Sequence, residues 1–291
     1  MTQTTPRSSS QIASLDEAKA FFAANPDIDA IDMIFTNLSG VPRGKRLRQH
    51  EVIAVYENGR FLPGSVLVVD ITGLDCEETG LVWDDGDADR SCLPVPGTLV
   101  RAPWLGEHAA QFTTSFYELD RTPNDLDPRN VLGRVVDRLV ADGLTPVVAV
   151  ELEFFLLEAG KGKPKIARGL HSGEQPQFNE VYSLREMEDF KPFFDDLYAA
   201  CDVQGIPLES AISEYAPGQF ELTLRHKADA LRATDDALMY KRLVKGVAAR
   251  HGMIASFMAK PFAAQAGSGM HLHVSMADES GANAFASDDP A

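Results

Sequence analysis

Val150-Glu151-Leu152-Glu153-Phe154 sits inside an otherwise apolar run over 147–157, and that run reads as a strand. Successive strand side chains point to opposite faces, so Glu151 and Glu153 share one face while Leu152 and Phe154 share the other. Carboxylates in so apolar a setting are costly to bury unless a cation or hydrogen bonds compensate them. On this stretch alone, a surface strand with an acidic outer face accounts for the pair equally well.

Further along lies Ser213-Glu214-Tyr215-Ala216-Pro217-Gly218-Gln219-Phe220-Glu221. Phe220, Leu222 and Leu224 alternate with Glu221, Thr223 and Arg225, giving one apolar and one polar strand face. Pro217-Gly218 makes a turn that folds Glu214 back towards Glu221. An ordinary hairpin with exposed acids has the same pattern. A third stretch, Gly267-Ser268-Gly269-Met270-His271-Leu272-His273-Val274-Ser275, leads from a glycine-rich turn into a strand. That strand presents His271, His273 and Ser275 on one face. Glycines let a backbone approach a ligand closely, and imidazole offers a nitrogen to a metal or a donor to phosphate. Paired histidines after such a turn favour ligand duty over core packing.

Around these stretches the chain alternates helices and strands. Ser14 and Glu17 form a capping box for a helix over 15–24, closed by Pro26. A strand over 28–38, a turn at Ser39-Gly40 and a partner strand over 43–47 read as a hairpin. Helix is expected over 51–57, a buried strand over 66–71, an acidic loop over 84–89, and two or three short strands up to Tyr117. The polar stretch from Arg121 to Arg129 reads as a linker. Asp127 caps the next helix, with Pro128 at its first position and Gly143 beyond its end. Ser183 and Glu186 box a helix running to Gly205. A strand over 219–225, a helix over 228–250 and strands over 254–257 and 271–275 follow, with a Gly/Lys/Pro-rich loop over 159–177. The expected division is an N-terminal extension and short helix (1–25), a compact α+β domain (26–122) and a second domain (123–291).

Composition excludes several classes. The net charge of -16, from 43 acidic and 27 basic residues, leaves no basic stripe for nucleic acid. Cys76, Cys92 and Cys201 are widely spaced, with no CxxC pair, so neither a zinc ribbon nor a disulfide framework is expected and a reducing cytoplasm fits. Met1 to Gln11 lacks the apolar core of a signal peptide, and no run approaches membrane-spanning length. There is no GxxxxGK[ST] or GxGxxG after a strand, so ATP, if used, is held by neither a P-loop nor a Rossmann cradle.

The E-x-E strand, the E-x6-E hairpin carrying Pro-Gly-Gln, and the GSGMHxH turn and strand stand in the order found in the glutamine synthetase family. Asn37-Leu38-Ser39-Gly40 and Pro94-Val95-Pro96-Gly97-Thr98 extend the resemblance back to about Ile28. It implies a β-grasp-like N-terminal domain, then a catalytic domain, here incomplete, built on a curved antiparallel sheet flanked by helices. Residue by residue it assigns Glu153, Glu214 and Glu221 to one metal ion, and Glu151 with His271 to a second. Glu209, His273 and Ser275 match positions near ATP, and Gly267 matches the glutamate-binding turn. The implied reaction phosphorylates the γ-carboxylate of glutamate with ATP and lets an amine displace phosphate. Carboxylate and imidazole ligands suit Mg²⁺ or Mn²⁺, with two or more ions per site. The complete protein is expected to form stacked rings, a dodecamer, and to engage neither nucleic acid nor membrane.

Two departures from the family pattern matter. Where ammonium-using members carry aspartate in an F-D-G-S segment, this chain has Phe61-Leu62-Pro63-Gly64-Ser65. Where they carry asparagine before the G-S-G turn, it has Ala266. Both resemble the γ-glutamylpolyamine and γ-glutamylmonoamine synthetases of amine catabolism, so an organic amine or polyamine is expected in place of ammonia. Ammonia remains the alternative, with Asp70 or Asp87 supplying the missing acid. A non-catalytic, metal-binding relative is a third reading, disfavoured because all five metal-matching side chains are present. The family continues beyond the HxH strand with further glutamate and arginine residues. This chain stops at Asp288-Asp289-Pro290-Ala291, so it is expected to be truncated and inactive alone.

Overall fold

A computed structural model of the chain describes residues 12–287; the N-terminal stretch to Gln11 and the end at Asp288–Ala291 lie outside the described residues. The chain divides into two compact units, Met1–Gly143 and Leu144–Ala291.

In the first unit, α1 (Leu15–Ala24) begins where the Ser14 hydroxyl accepts the Glu17 N–H. β1 (Ala30–Thr36) pairs antiparallel with β2 (Pro42–Leu47). α2 (Gln49–Asn58) follows, with Glu51 accepting the Arg48 backbone N–H at its start. β3 (Arg60–Pro63), β4 (Asp89–Pro94), the two-residue β5 (Val100–Arg101) and the wholly buried β6 (Ala109–Tyr117) complete the sheet. Its order is β2-β1-β6-β4-β3, and β1 runs parallel to β6. Ile31, Met33, Val52, Phe112 and Phe116 form the core between sheet and helices.

The strand expected over 66–71 is absent; Gly64–Leu67 is a 3₁₀ turn and the strand lies earlier, at β3. Pro63 ends β3 because it has no N–H to continue a ladder. Leu67 and Val69 are apolar and buried, which mimics a strand in the sequence, but their backbone groups are satisfied elsewhere. The Leu67 carbonyl accepts from Leu38 N–H, and the Val69 carbonyl from the Asn37 side chain.

The border between units falls after α3 (Pro128–Ala141), later than the linker read at 121–129. Asp127 explains why. Its carboxylate caps Arg129 and Asn130 N–H and also accepts the Phe116 N–H, while Asn130 donates to the Phe116 carbonyl. The helix start is thereby stitched to β6, and burial of Asp127 pushes its carboxyl pKa up.

The second unit is an antiparallel sheet in the order β10-β7-β9-β8. Its long central strand is β7 (Thr145–Glu158); β8 (Leu208–Ser213), β9 (Gln219–Leu224), β10 (Met253–Ser256) and β11 (Met270–Ala277) surround it. β10 and β11 share one edge of β7, against residues 155–158 and 145–152 respectively, and β9 takes the other. The helix expected from 183 to 205 is two: α4 (Leu184–Asp189) and α5 (Lys191–Gln204). Pro192 breaks it, lacking an N–H and crowding the carbonyl one turn back. Phe190, Phe193 and Phe194 then pack with Phe154 and Phe220 on one face of the sheet. The long α6 (Ala230–Arg250), capped by Asp229, packs on β7 and β10. β8 carries no clear alternation in the sequence, in keeping with its irregular register between Leu208 and Ala211. Among the described residues no helix is long and apolar enough to cross a membrane.

Candidate metal centre

Because Phe154 and Phe220 fill the core, their neighbours on β7 and β9 must face the other way. Glu153 stands directly opposite Glu221, and Glu151 is paired with His271 across the β7–β11 ladder. The sheet register therefore brings acids from two strands and histidines from a third onto one face. Two groupings have ligand atoms all within 4.8 Å of one another: Glu153, Glu214 and Glu221, and Glu151, Glu221 and His271. Glu221 belongs to both.

The electrostatics follow from that crowding. Glu221 is only 9% exposed. Burial, then the charges of Glu151, Glu214 and Glu153, push its pKa up to about 7, against a smaller lowering by His271. Glu151 moves the other way, chiefly because His273 Nε2 lies 3.0 Å from its Oε2. His271 Nδ1 is 3.5 Å from the same oxygen and 3.8 Å from Glu221 Oε2. Clustered carboxylates of this kind are stable together only when protonated or when they share a cation. Hard oxygen donors with a single imidazole suit Mg²⁺ or Mn²⁺, so the residues present fit such ions.

Local backbone makes the cluster possible. Gly269 has no side chain where a Cβ would stand 2.8 Å from Glu153 Oε1 and 3.2 Å from His271 Nε2. Gly218, at φ +69°, turns the β8–β9 hairpin in a conformation that disfavours other residues. That turn is held by Glu186, a buried carboxylate on α4 that accepts from the Ser213 hydroxyl at 2.6 Å and from Gly218 N–H at 2.7 Å. Gln219 donates to Glu153 Oε2 and to the Gly267 carbonyl. In the sequence Gln219 belongs to the Pro-Gly-Gln turn and Glu186 to a helix-capping pattern, and neither pattern points to these contacts. Gln219 sits two residues before Glu221, on the same strand face, which was the signal available.

The other expected residues are placed as follows. Glu209 forms an exposed ion pair with Arg225, Oε1 to Nε 2.8 Å. His273 contacts Glu151, and its ring lies 5.8 Å from that of His226. Ser275 donates to Asn283 Oδ1 at 3.2 Å. Gly267 accepts from Gln219 as above, and the preceding Ala266 packs against the apolar cluster of Phe155, Leu157 and Ala216. In the first unit, Ser65 donates to Asp87 Oδ1 at 2.6 Å, beside the Pro63 segment, while Asp70 is engaged in its own turn with Thr72, Gly73 and Leu74.

Residues 125–291 match the family described as glutamine synthetase, catalytic domain, and the chain belongs to that family. It is 39% identical over 272 residues to the γ-glutamylputrescine synthetase PuuA of Escherichia coli, covering 92% of this chain and 57% of that protein. It is 34% identical to a glutamine synthetase of Mycolicibacterium smegmatis, covering 91% of this chain and 56% of the relative. A solved GmaS complex with ADP superposes with a TM-score of 0.79 at 26% identity, over 94% of this chain and 59% of that one. The chain thus spans somewhat over half the length of the curated relatives it matches.

Proposed function

We propose that the protein carrying this chain joins the γ-carboxyl group of glutamate to an organic amine, consuming ATP through γ-glutamyl phosphate. The observation that carries this reading is the pair of three-residue groupings that share Glu221. Two hard-ligand sites side by side match the needs of phosphoryl transfer, where negative charge on the moving group must be neutralised and held in line.

Glu153, Glu214 and Glu221 hold one divalent cation, and Glu151 with His271 holds the second, Glu221 lying within reach of both. Bound Mg²⁺ or Mn²⁺ supplies charge neutralisation at the phosphoryl oxygens. The protein's own share is orientation: His273 fixes Glu151, Gln219 fixes Glu153, and Glu186 fixes the turn between Glu214 and Glu221. Glu209, His273 and Ser275 serve ATP, and the Gly267 turn serves glutamate.

Pro63 and Ala266 support an organic amine. Pro63 has neither a side-chain acceptor nor an N–H, so it cannot pair with or deprotonate ammonium. A larger amine brings binding energy through its own chain and tolerates that loss better. The 39% identity to a γ-glutamylputrescine synthetase supports the same choice. Ammonia is the second reading, favoured by Asp87 beside the Pro63 segment and by the 34% identical glutamine synthetase. Assembly into stacked rings fits the family and the exposed apolar residues Met270, Leu272 and Val274 on β11. Residues 1–291 by themselves, spanning somewhat over half the length of the curated relatives, are proposed to turn over negligibly. The test is glutamate-dependent phosphate release from ATP by the full-length protein that carries this chain, run with putrescine, ethanolamine, isopropylamine and ammonium. No release with any amine would refute the ligase reading.

A further inference from the structure

Gln219 is 1% exposed, and every polar atom of its side chain is engaged. Nε2 donates to Glu153 Oε2 at 2.8 Å and to the Gly267 carbonyl at 2.9 Å, and Oε1 accepts the Ala216 N–H at 3.2 Å. One amide group thereby joins three segments: β7, the glycine turn ahead of β11, and the β8–β9 turn. A second bond runs in parallel, from Glu153 N–H to the Gly269 carbonyl at 3.2 Å.

We propose that Gln219 is a positioning residue that couples the Glu153 carboxylate to the glycine turn over 267–269, so that cation binding and ordering of that turn reinforce each other. This rests on the reading of Glu153 as a cation ligand and of Gly267 as part of the glutamate site. Glu153 Oε2 and the Gly267 oxygen are both acceptors, and they meet around a single NH₂ group. Without that donor the two oxygens repel, and each is left short of a partner in a partly buried place. With it, the carboxylate is oriented by a neutral donor and keeps its charge for a cation, as outer-sphere partners of metal ligands do. Coupling of this kind is reciprocal: whatever fixes Glu153 also fixes the turn, and the reverse.

The test uses Gln219→Met, which keeps the volume and removes the donors, and Gln219→Glu, which keeps an acceptor for Ala216 and can donate to at most one of the two oxygens. Thermal midpoints confirm folding of each; should Gln219→Met fail to fold, Gln219→Glu carries the test. Calorimetry gives Mn²⁺ affinity, and hydrogen exchange of the peptide covering residues 263–270 is followed with and without Mn²⁺. The expected result is that Mn²⁺ slows exchange of this peptide in the wild-type chain. In the variants, metal-free exchange is faster, the Mn²⁺ effect is lost, and Mn²⁺ binds roughly 10–100-fold more weakly. Wild-type affinity and unchanged exchange in the variants overturn the coupling and leave the cation site standing. A wild-type chain that binds no Mn²⁺ overturns the cation reading, and the coupling falls with it.

Discussion

Glu153 and Glu221 stand directly opposite each other on adjacent antiparallel strands, β7 and β9, with the aromatic pair Phe154 and Phe220 one step further along the same ladder. Like charges in that cross-strand position destabilise a sheet. The arrangement costs the fold stability, and a cation shared between the carboxylates would remove the cost.

Mn²⁺ or Mg²⁺ should therefore stabilise the chain more at pH 8 than at pH 6. An unfolded chain releases the Glu221 proton near the ordinary 4.5, whereas the folded chain keeps it up to about 7. The stability this group contributes is complete below the lower value and is lost as pH rises through the higher one. Glu151, shifted downward, has finished titrating well below this window. Thermal midpoints with and without Mn²⁺ check the claim, and an increment equal at both pH values would count against it.

Glu221→Gln should raise the metal-free stability and abolish most of the metal effect. The shift from 4.5 to about 7 corresponds to roughly 3 kcal/mol at high pH, an upper figure because the site relaxes. Urea unfolding at pH 8 should thus show a gain of about 1–3 kcal/mol without metal. A variant less stable than wild type under those conditions would mean that Glu221 is held by something other than its acidic neighbours.

Gly269→Ala should weaken Mn²⁺ binding about tenfold or more while changing overall stability little. The added Cβ would lie 2.8 Å from Glu153 Oε1, so the carboxylate must move off its position. Second-row disturbances of metal ligands commonly cost 10–100-fold in affinity, about 1.4–2.7 kcal/mol. Calorimetry on the variant decides, and unaltered affinity would show that Glu153 binds from another rotamer.

Much of this side-chain cluster is legible in the sequence. Glu151 and Glu153 stood out because their neighbours Leu152 and Phe154 demanded burial, which fixes the direction of the acids between them. His271 and His273 followed by the same alternation. What stayed hidden depended on partners distant in the chain. Gln219 acts through a carbonyl at Gly267 and a carboxylate at Glu153, and no local pattern announces either. The apolar 66–71 segment looked like a strand because Leu67 and Val69 are buried, yet Asn37, far earlier, supplies the hydrogen bond that lets Val69 lie in a loop. The Phe190 break was readable in principle from Pro192, and the capping-box pattern of Ser183 and Glu186 masked it, although Glu186 turns its carboxylate to Ser213 and Gly218 instead.

The central claim is the choice of an organic amine by a glutamate ligase, and product identity tests it most directly. The protein carrying this chain is incubated with glutamate, ATP, Mn²⁺ and equimolar putrescine and ammonium, and the products are resolved by mass spectrometry. Because Pro63 offers ammonium no side-chain acceptor, the account predicts γ-glutamylputrescine as the dominant product, formed in step with phosphate. Glutamine as the dominant product, lost on Asp87→Asn, would contradict it and restore ammonia as the substrate.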